Sequence, residues 1–137
     1  MHPSPDQLRA IPLLTDLPDR DLERIAGWLE VEEHDAGHVV VGEGRAGYVF
    51  FFIDRGRVEV RNDGRAVATL GPGEFFGEEA ILSGDRRNAD VVALEATTLL
   101  SMFGTYFREF EAQQPELAAE IARVVQARRD AEKPADD

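Results

Sequence analysis

The chain of 137 residues contains no cysteine. That excludes a disulfide framework, a thiolate metal site, an iron–sulfur cluster and a cysteine nucleophile. Positive charge is scarce: 15 lysines and arginines stand against 27 aspartates and glutamates, a formal net charge of -12. Nucleic acid and anionic lipid both need a basic face that displaces counterions, so direct contact with either is not expected. An anionic small molecule stays open, because a pocket works through local donors rather than net charge. Long apolar runs are missing as well. The longest, Tyr48 to Ile53, falls far short of the roughly 20 residues of a spanning helix. Met1 to Gln7 has no basic start followed by an apolar core, so no export signal is read there and a cytoplasmic protein is expected. The length suits one domain with a hydrophobic core, here residues 1–130, followed by a flexible acidic tail over residues 131–137.

Leu22, Ile25, Ala26 and Leu29 recur at helical spacing behind Pro18, Asp19 and Asp21, which predicts an amphipathic helix with an acidic first turn. A shorter helical turn is expected around Asp6 to Ala10. From Val31 to about Phe103 the pattern becomes short β-branched and aromatic runs between glycine-containing turns, the mark of an all-β barrel or sandwich. The expected strands are His38–Val41, Tyr48–Ile53, Arg57–Arg61, Arg65–Leu70, Asp90–Leu94 and Thr98–Phe103. Asn62-Asp63-Gly64 supplies a hairpin turn, Asp54 to Gly56 a similar tight turn, and Gly71-Pro72-Gly73 ends the next strand. These turns are expected to fix the register. Helical spacing returns after Gly104, with Tyr106, Phe107 and Phe110, then Leu117, Ile121, Val124 and Val125 behind Pro115, so two helices close the chain. The last carries an apolar stripe with Glu116, Glu120, Arg123 and Arg128 on its other faces. That stripe has something to cover or be covered by, and dimerisation through it stays open.

The unusual stretch is Phe75-Phe76-Gly77-Glu78-Glu79-Ala80-Ile81-Leu82-Ser83-Gly84-Asp85-Arg86-Arg87-Asn88-Ala89. Glycine followed by a short helix lets backbone N–H groups converge on an anion, and an arginine just beyond adds a charge-assisted, bidentate bond to a phosphate. Glu78 at the helix start is an acceptor for ligand hydroxyls. Carboxylate, converging amides and guanidinium together suit a ligand with both a hydroxyl and a phosphate, most commonly a nucleotide.

Phe76-Gly77-Glu78-x-Ala80-Ile81-Leu82, four further residues, then Arg87-x-Ala89-x-Val91-x-Ala93 resembles the phosphate-binding cassette of the cyclic nucleotide-binding domain family. The similarity extends to Ile11-Pro12-Leu13-Leu14 and the helix after Pro18, to Ala36-Gly37-His38-Val39-Val40 and Gly44-x-x-Gly47, and to Phe50-Phe51-Phe52-Ile53 before Gly56-x-Val58-x-Val60. The resemblance implies a mainly β fold, a jelly-roll-like β-roll (double-stranded β-helix) with a short phosphate-binding helix, an N-terminal helix and C-terminal helices. It also implies a ligand site of Phe76, Gly77, Glu78, Glu79, Ala80, Arg87, Asn88 and Ala89. Glu78 would accept from the ribose 2′-hydroxyl and Arg87 would hold the cyclic phosphate, with Gly77, Ala80 and Ala89 against sugar and phosphate through their backbones. Three positions depart from the family's usual residues: Asn88, where alanine, serine or threonine is common, Tyr48 after Gly47, and Arg86 in a position often filled by proline. Neither charged anchor is touched. Without a hydroxyl at Asn88 to meet a guanine 2-amino group, cyclic AMP is expected over cyclic GMP. No other cofactor is implied. Related transcription factors carry a DNA-reading unit after the last helix, whereas here a polar tail follows Arg129. A stand-alone regulatory module acting on a protein effector in trans is therefore expected, with a homodimer and a ligand-independent interaction module as alternatives.

Each of these residues also has a plainer role open to it. Outside such a motif Arg87 would be an ion-paired surface arginine, partnered by Glu79 or Asp85; Arg86 reads as solvated, and Asn88 divides between ligand contact and loop capping. His34 and His38 lie four apart beside Glu32, Glu33 and Asp35, yet strand and turn between them give no shared helical face, and His2 is the only other imidazole. No metal site is expected. Phe50-Phe51-Phe52 suits a strand buried on both faces, and Trp28 reads as packing. Glu78 and Glu79 are adjacent on a helical turn and point about 100° apart, which does not make an acid–base pair. The chain is not expected to be an enzyme.

Overall fold

The computed structural model describes residues 1–41, 49–77 and 90–132. Helix α1 (Pro5–Arg9) starts on Ser4, whose hydroxyl accepts from the Gln7 amide at 3.1 Å while its own amide donates to Gln7 Oε1 at 3.3 Å. This reciprocal cap fixes the helix start, and Pro5 sits at a position where no N–H is needed. Helix α2 (Asp19–Gly27) has Asp19 and Asp21 in its first turn and buries Leu22, Ile25 and Ala26. Leu29, the fourth residue of the stripe, is buried just beyond its end.

Among the described residues, eight strands form two antiparallel four-stranded sheets. The first contains, in spatial order, β1 (Glu30–His34), β8 (Thr97–Phe103), β3 (Val49–Arg55) and β6 (Phe75–Phe76). The second contains β2 (Val39–Val41), β7 (Asp90–Ala93), β4 (Val58–Asn62) and β5 (Arg65–Leu70). The chain passes repeatedly from one sheet to the other, which makes a β-roll rather than a meander. Helices α3 (Gly104–Gln113) and α4 (Pro115–Glu132) follow β8.

Two of these strands, β1 and β6, carry no hydrophobic pattern of their own. In β1, Glu30, Glu32, Glu33 and His34 surround a single valine, so no hydrophobic alternation announces it; it forms because β8 offers a partner from Ser101 to Thr97. β6 has two residues, too short for any periodicity. The turn over Asp54 to Gly56 also needs correction. It does not set a hairpin register, because β3 and β4 lie in different sheets and Asp54 and Arg55 still belong to β3. Gly56 (φ 89°) turns the chain between sheets so close to the β7–β8 connection that a Cβ there would lie 2.6 Å from the Ala96 carbonyl oxygen. The Asp63-Gly64 turn does set a register: both residues have positive φ, 52° and 77°, the form that matches strand twist, and Asn62 pairs with Arg65.

The first sheet is covered on both faces. Toward the helices, Phe50, Phe52, Phe75, Leu100 and Met102 pack with Leu22, Ile25, Phe107, Phe110, Ile121 and Val125. Toward the second sheet, Phe51, Ile53, Phe76 and Leu99 meet Val58, Leu70 and Val91. The apolar run Phe50 to Phe52 is thus split, alternate rings going to opposite cores. Truncating the fully buried Phe50 or Phe107 to alanine costs about 3 to 5 kcal/mol. Trp28, at the C-cap of α2, packs against the helix-side core.

Candidate functional site

Strand register locates one end of the roll. In the first sheet Val49 lies opposite Phe103, and Phe51 opposite Phe76. In the second, Val41 lies opposite Val91, and Asp90 opposite Arg61, next to the β4–β5 hairpin tip. The strand ends that flank residues 42–48 and 78–89 therefore lie at this end, while residues 35–38, 56–57, 71–74 and 94–96 connect strands at the other.

Phe76 and Gly77, which open the predicted ligand segment, are fixed by opposing features. The Phe76 ring stacks on Phe51 across the ladder at 4.8 Å and 17° inside the roll. Gly77 then leaves the strand at φ 95°, a left-handed conformation that side chains with a Cβ rarely adopt. Phe75 points the other way, into the helix-side core, where the Arg128 guanidinium of α4 lies 4.9 Å from its ring centroid. One dipeptide thus contacts both the roll interior and the last helix. Of the remaining predicted site residues, Glu78, Glu79, Ala80, Arg87, Asn88 and Ala89 lie outside the described residues, as do Tyr48, Asp85 and Arg86.

The end of the roll has a further feature that the motif did not announce. Val40, Val41, Val49 and Val60 pack on the roll-interior core yet are only partly covered, and Ala68, paired with Val60, is exposed. They leave apolar surface that is only partly covered. The alternation Val58-x-Val60 was the signal available for it in the sequence.

The α4 stripe is occupied within the chain: Ile121 and Val125 are buried, and Leu117 and Val124 pack on the helix-side core. At the far end of the roll the turn through Gly37 brings His34 and His38 together after all, their rings stacked at 4.9 Å and 27°, with His34 Nε2 3.0 Å from the Glu32 carboxylate. A turn rather than a helical face makes the juxtaposition. His2 is engaged elsewhere, its Nδ1 2.7 Å from the Leu29 carbonyl oxygen. Among the described residues no group of three or more His, Asp or Glu side chains is arranged to hold a metal ion, and no helix is long and apolar enough to cross a membrane.

A model of the cyclic nucleotide-binding domain matches residues 31–114, which takes in both sheets, the whole cassette segment and α3. The chain belongs to the cyclic nucleotide-binding domain family. Human cGMP-dependent protein kinase 2 is 38% identical over 94 residues, covering 64% of this chain and 12% of the kinase. A cyclic nucleotide-gated potassium channel of Rhizobium etli is 38% identical over 120 residues, covering 88% of this chain and 34% of the channel. The chain therefore spans between about an eighth and a third of these relatives' length. Among solved structures, cAMP-bound PfPKA-R (141–441) superposes with a TM-score of 0.84 at 22% identity, over 93% of this chain and 44% of the other. At that identity the superposition speaks for the fold: the two sheets and flanking helices are those of the family's β-roll.

Proposed function

We propose that this cyclic nucleotide-binding domain binds a 3′,5′-cyclic nucleotide, cyclic AMP in preference to cyclic GMP, and acts as a cytoplasmic regulatory module on a protein effector in trans. The observation that carries the reading is the cassette sequence from Phe76 to Ala89, set between β6 and β7 where the chain crosses from one sheet to the other. In this reading Glu78 accepts from the ribose 2′-hydroxyl and Arg87 takes the phosphate with two parallel hydrogen bonds. The amides around Gly77, Glu79, Ala80 and Ala89 complete the anion cradle, and Phe76 anchors it to the roll. The base lies on the open apolar lining of Val41, Val49, Val60 and Ala68. Asn88 offers an amide but no hydroxyl, which favours adenine. The kinase and channel relatives support a role in which ligand occupancy is passed to an output unit, and α4, packed on Phe75 through Arg128, is the element best placed to pass it.

Titration calorimetry with cyclic AMP and cyclic GMP tests the reading directly. Saturable heat with both, tighter for cyclic AMP, is expected. Absence of heat and of any thermal shift with either would sink the ligand assignment. Tighter binding of cyclic GMP, reversed by Asn88→Ala, would sink the base preference alone.

A further inference from the structure

The β4–β5 hairpin carries an irregularity that redirects one arginine. Val58 pairs with Leu70, and both belong to the roll-interior core. Two residues on, Val60 pairs with Ala68, so strand alternation places this pair on the same face. The register then slips: Arg61 pairs with Ala66, and Asn62 with Arg65, leaving Val67 as the extra residue of a bulge. An unbroken ladder would set Ala66 opposite Asn62 on the interior face and turn Arg65 away. With Val67 inserted, Arg65 stands on the interior face beside Asn62, in line with Val60 and Ala68. Bulges are known for re-aiming a side chain in this manner next to functional sites.

The arginines of the hairpin are used differently on its two faces. Arg61, on the outer face, is tied to Glu59 at 2.6 Å. Arg65 is exposed and, among the described residues, its guanidinium carries neither an ion pair nor a hydrogen bond. A free guanidinium is therefore held at the end of the roll marked by Val41, Val49 and Asp90, beside an apolar lining kept low by Ala68. It is a planar cation, suited to lie flat on an aromatic ring.

We infer that Arg65 closes over the purine ring of the bound nucleotide, the base being held between its guanidinium and the Val60–Ala68 lining. The inference rests on the reading that the chain binds a cyclic nucleotide. Stacking makes no use of the base edge, so Arg65 contributes affinity without choosing between adenine and guanine.

Calorimetry on Arg65→Ala and Arg61→Ala, each titrated with cyclic AMP and with cyclic GMP, tests it. Arg65→Ala should keep the melting temperature of the free protein and lose about 3- to 30-fold in affinity for both nucleotides, by factors that agree within about twofold. Arg61→Ala should bind as the wild type does. Unchanged affinity in Arg65→Ala, a loss confined to one of the two nucleotides, or an equal loss in Arg61→Ala would each overturn the assignment. A wild-type protein that binds neither nucleotide would instead remove the ligand reading, and this inference with it.

Discussion

Phe75 and Phe76 are adjacent and equally buried, yet they should fail in different ways when cut back to leucine. Phe76 lies in the roll interior against Phe51, with ring centroids 4.8 Å apart. Replacing it by leucine forfeits the stacked pair, about 0.5 to 1.5 kcal/mol, and adds up to about 1.5 kcal/mol for a change of shape in a packed core. A loss of about 0.5 to 3 kcal/mol follows. Phe75 touches Phe50 at 5.7 Å and receives the Arg128 guanidinium at 4.9 Å, so Phe75→Leu should cost a similar amount. Urea unfolding, read as a shift of midpoint at constant slope, measures both. Their functional effects should separate. Phe76→Leu loosens the anchor before Gly77 and should weaken cyclic nucleotide binding several-fold beyond what its stability loss explains. Phe75→Leu should leave binding within about twofold of wild type while hydrogen exchange accelerates across Pro115 to Arg128, where α4 loses its aromatic seat. Equal binding losses in the two variants, or exchange in α4 that Phe75→Leu does not change, would refute the division of labour between the two rings.

Arg87→Ala and Glu78→Ala should each weaken cyclic nucleotide binding by about 1.5 to 3 kcal/mol, roughly ten- to over a hundredfold, with the ligand-free fold unchanged by circular dichroism. Gly56→Ala should destabilise the fold by about 1 to 3 kcal/mol or more in urea, since it places a Cβ at positive φ and against the Ala96 carbonyl. Hydrogen bonding from Arg123, reinforced by its charge, holds the Glu120 carboxyl below the ordinary 4.5. A lowered carboxyl stabilises the folded state at pH values above 4.5 and loses that contribution as pH falls through its depressed value. Protection of the α4 amides around Glu120, taken relative to the intrinsic exchange rate at each pH, should therefore fall as the carboxyl is protonated below pH 4.5 in the wild type and show a smaller pH response in Arg123→Ala.

Much of this molecule could be read before its shape was known, and the reasons differ from element to element. α2 was legible because Leu22, Ile25, Ala26 and Leu29 repeat with the helical period, and β5 because two turns bracket it. β1 was not, since an edge strand dressed in glutamates has no apolar rhythm. The exchange of the chain between sheets at Gly56 depends on which partners compete for β3, and that is a property of the whole fold. In the candidate site, the cassette was visible as a run of residue types, while the exposure left on Val40, Val41, Val49 and Val60 was not, because partial burial is set by what fails to pack on them. The bulge at Val67 is invisible in composition. Alternation alone would have sent Arg65 to the outer face.

Trp28 gives the molecule a built-in reporter. It is the only tryptophan in the chain and sits at the C-cap of α2, packed on the helix-side core rather than in the roll. Excited selectively at the red edge of the absorption band, its emission is blind to the phenylalanines that line both cores. A nucleotide confined to the roll would leave that emission where it is. An emission change on titration would mean that the helical layer had been reached through the shared sheet, so a cuvette measurement can tell occupancy that stays local from occupancy that is relayed.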